Sequence, residues 1–176
     1  MPLLALFLLF AVTALAGERL TVPTPQEAVE RMVELAELKR GEKVYDLGCG
    51  DGRIVIAAAK LGAKAVGIDI DPQRIKEANE NAKKAGVENV VRFEENDLFK
   101  ADFREATVVT LFLLSTVNMK LRPKLLAELK PGTRVVSNTF DMGDWKPEKE
   151  ITIGNGDDED SFLSHRFFLW TVPAKK

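Results

Sequence analysis

The chain reads as an α/β protein whose sheet is mostly parallel and ends in an antiparallel C-terminal hairpin. Three observations predict this. Short apolar runs rich in β-branched residues alternate with helix-period segments from residue 24 to about residue 139. A glycine-rich turn, "DLGCGDGR" at 46–53, directly follows the first run, where open α/β sheets hold their ligands. Two further runs, "KEITI" and "HRFFLWTV", then follow with no helix between them.

Composition limits what the chain can do. Its 176 residues, 45% hydrophobic and 30% charged, suit one soluble domain with its own core. A net charge of −2 gives no global attraction to nucleic acid. The single cysteine excludes an internal disulfide and a cysteine zinc site, and the single histidine excludes a multi-histidine site. No metal is expected.

The first segment, "MPLLALFLLFAVTALAG", has no charged side chain. It is shorter than the roughly 20 apolar residues that span a bilayer. Ala14 and Ala16 fit a small-x-small cleavage pattern. Residues 1–17 are therefore expected to be a signal peptide or membrane anchor, with 18–176 as the folded domain. The expected location is membrane-associated or exported, on an unspecified side.

"TVPTPQEAVERMVELAELKRG" has the marks of a helix: Thr24 as N-cap, Pro25 at the first position and Glu27 completing a capping box. Val29, Met32, Val33 and Ala36 share a face, and Gly41 is the expected stop. "KVYDLG" is the first strand, and "RIVIAAAKLG" a helix closing at Gly62. "KAVGIDID" is the second strand, after which Asp71 caps a helix with Pro72 at its start and Gly86 at its end. "NVVRFEEN" and "ATVVTLFLL" are the third and fourth strands. A helix over "RPKLLAELKPG" and a fifth strand over "TRVVSNTF" follow, and the polar turn "GNGDDEDS" joins the last two strands.

The loop's chemistry lies in its glycines and acids. Gly48, Gly50 and Gly52 permit left-handed backbone and close approach of a ligand. A dinucleotide loop needs another glycine at position 53, which is Arg53 here. Asp46 and Asp51 suit an ammonium group better than a pyrophosphate. Asp69, at the end of the second strand, is placed to accept from ribose hydroxyls. Asp97 in "ENDLF" is placed to accept from an adenine amino group, with Leu98 and Phe99 beside the ring. Cys49 counts as a small loop residue and not a nucleophile, since a reactive thiol needs a base nearby. His165 is expected at the surface.

With these motifs the chain resembles the class I, seven-strand S-adenosylmethionine-dependent methyltransferases, whose sheet is Rossmann-like. "DLGCGDGR", "GIDIDP" and "ENDLF" resemble that family's three cofactor motifs. "VPTPQEAVERM" and "LRPKLLAELKPGTRVVSNTFDMGDWKP" resemble a narrower group. That group includes archaeal protein-lysine methyltransferases and the mitochondrial lysine methyltransferases that modify the ATP synthase c subunit and the adenine nucleotide translocase.

The resemblance implies S-adenosylmethionine as cofactor. Its expected contacts are Thr24, Asp46, Gly48, Cys49, Gly50, Asp51, Gly52, Asp69, Ile70, Asn96, Asp97, Leu98 and Phe112. Arg53 is expected to order the loop. The acceptor is expected over the ends of the fourth and fifth strands, near Leu114, Ser115 and Asn118 on one side and Asn138, Asp141 and Trp145 on the other. "LLSTVN" replaces the Leu-Pro segment frequent in the narrower group, so this lip is expected to differ. No catalytic acid–base pair is named. The expected activity is protein-lysine N-methylation; the alternative is methylation of a small amine, thiol or hydroxyl. A nucleic-acid acceptor is not expected, because "LLSTVN" lacks a Pro-Pro-Tyr-type motif.

Overall fold

The structure, a computed structural model, describes residues 26–153 and 165–175. Its elements are α1 (Gln26–Leu35), β1 (Lys43–Leu47), α2 (Arg53–Lys60), β2 (Lys64–Asp69), α3 (Pro72–Lys84) and β3 (Val91–Glu95), then β4 (Val108–Leu111), α4 (Ser115–Glu128), β5 (Arg134–Asn138), β6 (Lys149–Ile153) and β7 (His165–Thr171). The seven strands form one sheet in the order β3-β2-β1-β4-β5-β7-β6. β1 to β5 pair in parallel, and β7 runs antiparallel between β5 and β6. This is the predicted fold class.

Strand order reverses at β1. The chain steps outward through β2 to β3, then returns to lay β4 on the other flank of β1. Leu47 lies level with both Ile68 and Leu111. The loops leaving β1 and β4 therefore diverge side by side, which opens a crevice at the carboxyl ends.

The two faces are covered differently. On one, Val29 and Met32 of α1 and Ile54, Val55 and Ala58 of α2 pack on Val44, Ala65, Val108 and Val136. On the other, α4 presents Leu121 and Leu125, with Leu129 just beyond, to Leu47, Val109, Leu111 and Val135. All three of these leucines are fully buried, and burial of such a side chain is worth roughly 1.5–3 kcal/mol. Phe103 and Met142, from segments without helix, complete this second layer. Trp170 and Phe168 of β7 stack in the same layer, ring centres 5.6 Å apart.

Three boundaries differ from expectation. α1 stops at Leu35, well before Gly41. Glu37 takes a left-handed φ of 49°, its N–H bonds Glu34 O and the Leu38 N–H bonds Val33 O, which closes the helix as a glycine would. β4 ends at Leu111, so Phe112, Leu113 and Leu114 leave the sheet. α4 begins at Ser115, seven residues before "RPKLLAELKPG", and keeps Pro123 inside it. The stretch expected as the differing lip, "LLSTVN", thus leads into the first turn of a helix. What favours this is burial: Asn118, Leu121 and Leu125 form one inward stripe at helical spacing.

Asp71 caps α3 as expected, accepting from the Gln73 N–H. The expected cap at Thr24, the segment 1–17 and the turn "GNGDDEDS" lie outside the described residues. Among the described residues no helix is long and apolar enough to cross a membrane, and no acid, histidine or cysteine cluster could hold a metal.

Candidate active site

The glycine loop is pinned to the end of β2. Gly48 and Cys49 both donate their N–H to Ile68 O, at 2.8 and 3.0 Å. Asp69 then bridges outward: Oδ2 accepts from Gly50 N–H at 2.9 Å, and Oδ1 accepts from Asp71 N–H at 3.0 Å. A carboxylate has about four acceptor positions, so both oxygens keep capacity for a ligand. Asn96 N–H bonds Asp69 O at 2.9 Å, which brings the segment after β3 alongside.

Gly48, Gly50 and Gly52 all have positive φ. Gly52 also has no room for a side chain: a Cβ would sit 2.7 Å from the Phe93 ring. Gly50 is the opposite case, since nothing lies within 4 Å of where its Cβ would be. Bare backbone there faces open space beside Asp69.

The two loop acids part company. Asp46 is buried and accepts from Thr110 Oγ1 of β4 at 2.7 Å. Burial pushes its carboxyl up to about 7; the Thr110 bond opposes this, and the charges of Asp69 and Asp51 add to it. A cation arriving at the crevice would favour its ionised form. Asp51, by contrast, is held by Arg53, whose Nε and Nη2 donate to Oδ1 and Oδ2 at 3.0 and 2.5 Å. The Arg53 hydrogen bond lowers the Asp51 carboxyl from its ordinary value. Arg53 thus pairs with Asp51, and the Asp51 charge is largely answered within the loop.

Asp97 follows β3 and accepts from Phe99 N–H at 2.9 Å, an Asx-type turn. Leu98 packs into the core, whereas Phe99 and Ile70 are exposed at the ends of β3 and β2. Apolar side chains beside the two acids suit the faces of a flat base. Acids after three successive strands, glycine backbone with open space at Gly50 and a buried carboxylate near neutrality fit a cationic adenosyl ligand.

The acceptor side is built otherwise. Phe112 stacks on Phe140 across the ends of β4 and β5, ring centres 6.2 Å apart at 25°. Leu114 is exposed, as are Ser115 and Asp141. Asn118 is fully buried, and its amide nitrogen donates to Phe140 O and Asp141 O. Asn138 is also fully buried and accepts from Thr139 Oγ1. Trp145 tilts against Trp170 at 5.8 Å, and its carbonyl accepts from the Trp170 indole N–H. It roofs the core layer instead of standing free. Thr110 and the Phe112–Phe140 stack were missed in the sequence: both depend on which strands are neighbours.

Comparisons with known proteins agree with this geometry. A family model described as the ANTKMT methyltransferase domain matches residues 46–149. A protein-lysine N-methyltransferase of Saccharolobus islandicus is 46% identical over 157 residues, covering 88% of this chain and 94% of that one. The adenine nucleotide translocase lysine N-methyltransferase of Mus musculus is 37% identical over 143 residues, covering 80% of this chain but only 62% of its own length. A crystal structure described as an RNA methyltransferase from Salinibacter ruber, bound to S-adenosyl-L-homocysteine, is 51% identical. It superposes with a TM-score of 0.80 over 88% of this chain and 96% of that one. The chain belongs to the ANTKMT methyltransferase family and is an S-adenosylmethionine-dependent methyltransferase.

Proposed function

We propose that the chain methylates the side-chain amine of protein lysines. One observation carries this reading: identity with the Saccharolobus protein-lysine N-methyltransferase extends over nearly the whole of both chains. The site adds chemical support. A lysine must lose its proton before it attacks, and its ordinary pKa is about 10.4. The acceptor edge, with Phe112, Phe140 and exposed Leu114, is apolar enough to line an alkyl stem and desolvate its ammonium.

When bound, the cofactor supplies an activated methyl group on a sulfonium, for in-line transfer to a nucleophile. The chain's own residues bind and orient. Asp69 would hold the ribose side, Asp97 the base, and the glycine loop with Asp46 the cationic end, in the orientations that their own bonds to Gly50, Phe99 and Thr110 fix. Positioning of two reactants can supply much of the rate, so no acid–base pair is required.

The Salinibacter structure's description as an RNA methyltransferase motivates a second reading, with RNA as acceptor. The net charge of −2 disfavours it, because RNA binding draws on cationic surface. The proposal extends to location: the uncharged segment 1–17 would hold the domain at a membrane and near membrane substrates.

The test incubates the protein and labelled cofactor with membrane lysate, soluble lysate and total RNA, followed by mass spectrometry. Methyl-lysine that is absent with Asp69→Ala is expected. Methylated nucleotides without methyl-lysine would overturn the lysine reading in favour of RNA.

A further inference from the structure

The segment after β5 is bent in a way its residues resist. Phe140 N–H bonds Asn138 O at 2.8 Å, closing a three-residue turn with Thr139 at its centre and a φ of 68°. A γ-turn with positive φ is rare and strained, more so for a β-branched residue. Two buried amide atoms, Asn138 Nδ2 and Asn118 Oδ1, make no hydrogen bond here, a further cost to this conformation. Such strain persists only where the surroundings over-determine it, and it concentrates at functional sites.

β7 and α4 share the over-determination: the Thr139 N–H donates to Arg166 O of β7 at 2.6 Å, and α4 supplies the rest. Asn118 Nδ2 donates to Phe140 O at 3.1 Å, Asp141 O at 3.2 Å and Ser137 Oγ at 3.4 Å. Two of those partners are carbonyls, so the nitrogen must face them. Ser137 Oγ also donates to Phe140 O, at 2.6 Å. One turn on, Arg122 donates to Met142 O at 2.8 Å and pairs with Asp144. Gly143 has a positive φ and lies so close to Met119 that a Cβ would come within 2.6 Å of its sulfur. Asn118, Met119 and Arg122 thus hold residues 140–144 against the first turns of α4, and Phe140 against Phe112.

We propose that Asn118 is a positioning residue for methyl transfer: by holding the Thr139 turn it fixes Phe140 as a wall of the acceptor site. This rests on the acceptor lying at the ends of β4 and β5; it does not depend on that acceptor being lysine. Asn118 is fully buried, so its effect is exerted through the turn it holds. The glycine loop is tied instead to β2, by Ile68 and Asp69, and of the expected cofactor contacts Phe112 meets the turn through its stack on Phe140.

The test compares wild type, Asn118→Ala and Asn118→Ala/Thr139→Gly, using whichever acceptor the wild type methylates. Asn118→Ala should lower kcat/KM for the acceptor by about tenfold, with affinity for S-adenosylhomocysteine changed less than about twofold. Glycine at 139 accepts positive φ at no steric cost, so the double variant should regain roughly threefold. A cavity left in the core would not be repaired this way. Unchanged kinetics, a parallel loss of S-adenosylhomocysteine affinity, or no recovery with glycine would each overturn the proposal. If Asn118→Ala does not fold, Ser137→Ala with and without Thr139→Gly reads the same turn. Hydrogen exchange needs no acceptor: amides 140–142 should exchange faster in Asn118→Ala, and the glycine loop should not. Equal exchange would also overturn the proposal. Absence of methyl-lysine from the wild type alone bears only on the lysine reading.

Discussion

The carboxyl ends of β1–β3 and those of β4–β5 belong to one crevice but are made from different materials. The first half is backbone and acid: glycines with positive φ, N–H groups donated to Ile68 O, and carboxylates at strand ends. The second half is aromatic and amide: a Phe112–Phe140 stack, a buried Asn118 and a turn under strain. On the proposed reading the first half would recognise a ligand that never changes, and the second would meet the acceptor. Charge and bare backbone are sufficient for a fixed ligand. A variable one calls for shape, which side chains and loop conformation supply.

The comparison breaks most sharply at Asp69. Asp69→Ala removes two charge-assisted bonds to backbone N–H groups as well as the ligand contact. About a hundredfold loss of S-adenosylhomocysteine affinity is expected by calorimetry. Affinity within threefold of wild type would mean that backbone alone builds the donor half.

Gly52→Ala comes next. Its φ of 81° and the Phe93 ring 2.7 Å from a new Cβ both oppose the change. Thermal or urea unfolding should show a loss of about 2–4 kcal/mol. A neutral result would show the loop free to shift despite its bonds to Ile68.

Both donor-side residues were legible in the sequence, and the reason is physical. Gly52 and Asp69 act through local backbone geometry at the end of one strand, which spacing reveals. Asn118 and Phe140 act through contacts between α4 and the segment after β5, 22 and 23 positions apart. No local pattern announces such contacts. Ser115 hid the start of α4 because Leu114, just before it, makes no side-chain cap. Glu37 hid the end of α1 by doing what a glycine usually does. The fold class survived these misreadings, since it rests on the alternation of strand and helix and not on their ends.

Trp145 sharpens the boundary of the acceptor half. Trp145→Leu forfeits its ring contact with Trp170 and should cost roughly 1–2 kcal/mol in denaturant titrations. A rise in acceptor KM under conditions where the variant is fully folded would place Trp145 at the acceptor site.

Asp46 gives the most diagnostic effect, because it changes with pH. Its folded carboxyl titrates near 7, above the ordinary 3.8. Below about pH 4 both folded and unfolded forms carry the proton and nothing is lost. As pH rises toward 7 only the unfolded form ionises readily, so stability falls, and the penalty is complete above about 7. Asp46→Asn keeps an acceptor for Thr110 and should melt higher than wild type at pH 8, with the gap closing by pH 4. Wild-type affinity for the cationic cofactor should rise through pH 7, and that slope should flatten in the variant. An unchanged slope would separate Asp46 from the cationic end.

The chain carries one thiol, Cys49, packed in the glycine loop under Gly67, whose missing side chain makes its room. Burial holds that thiol well above its ordinary titration range, so little of it is thiolate at neutral pH. Alkylating reagents must wait for the loop to open. The rate of Cys49 labelling is therefore a built-in clock for donor-loop opening, readable without an engineered probe. A bound cofactor would slow that clock by the factor with which it closes the loop.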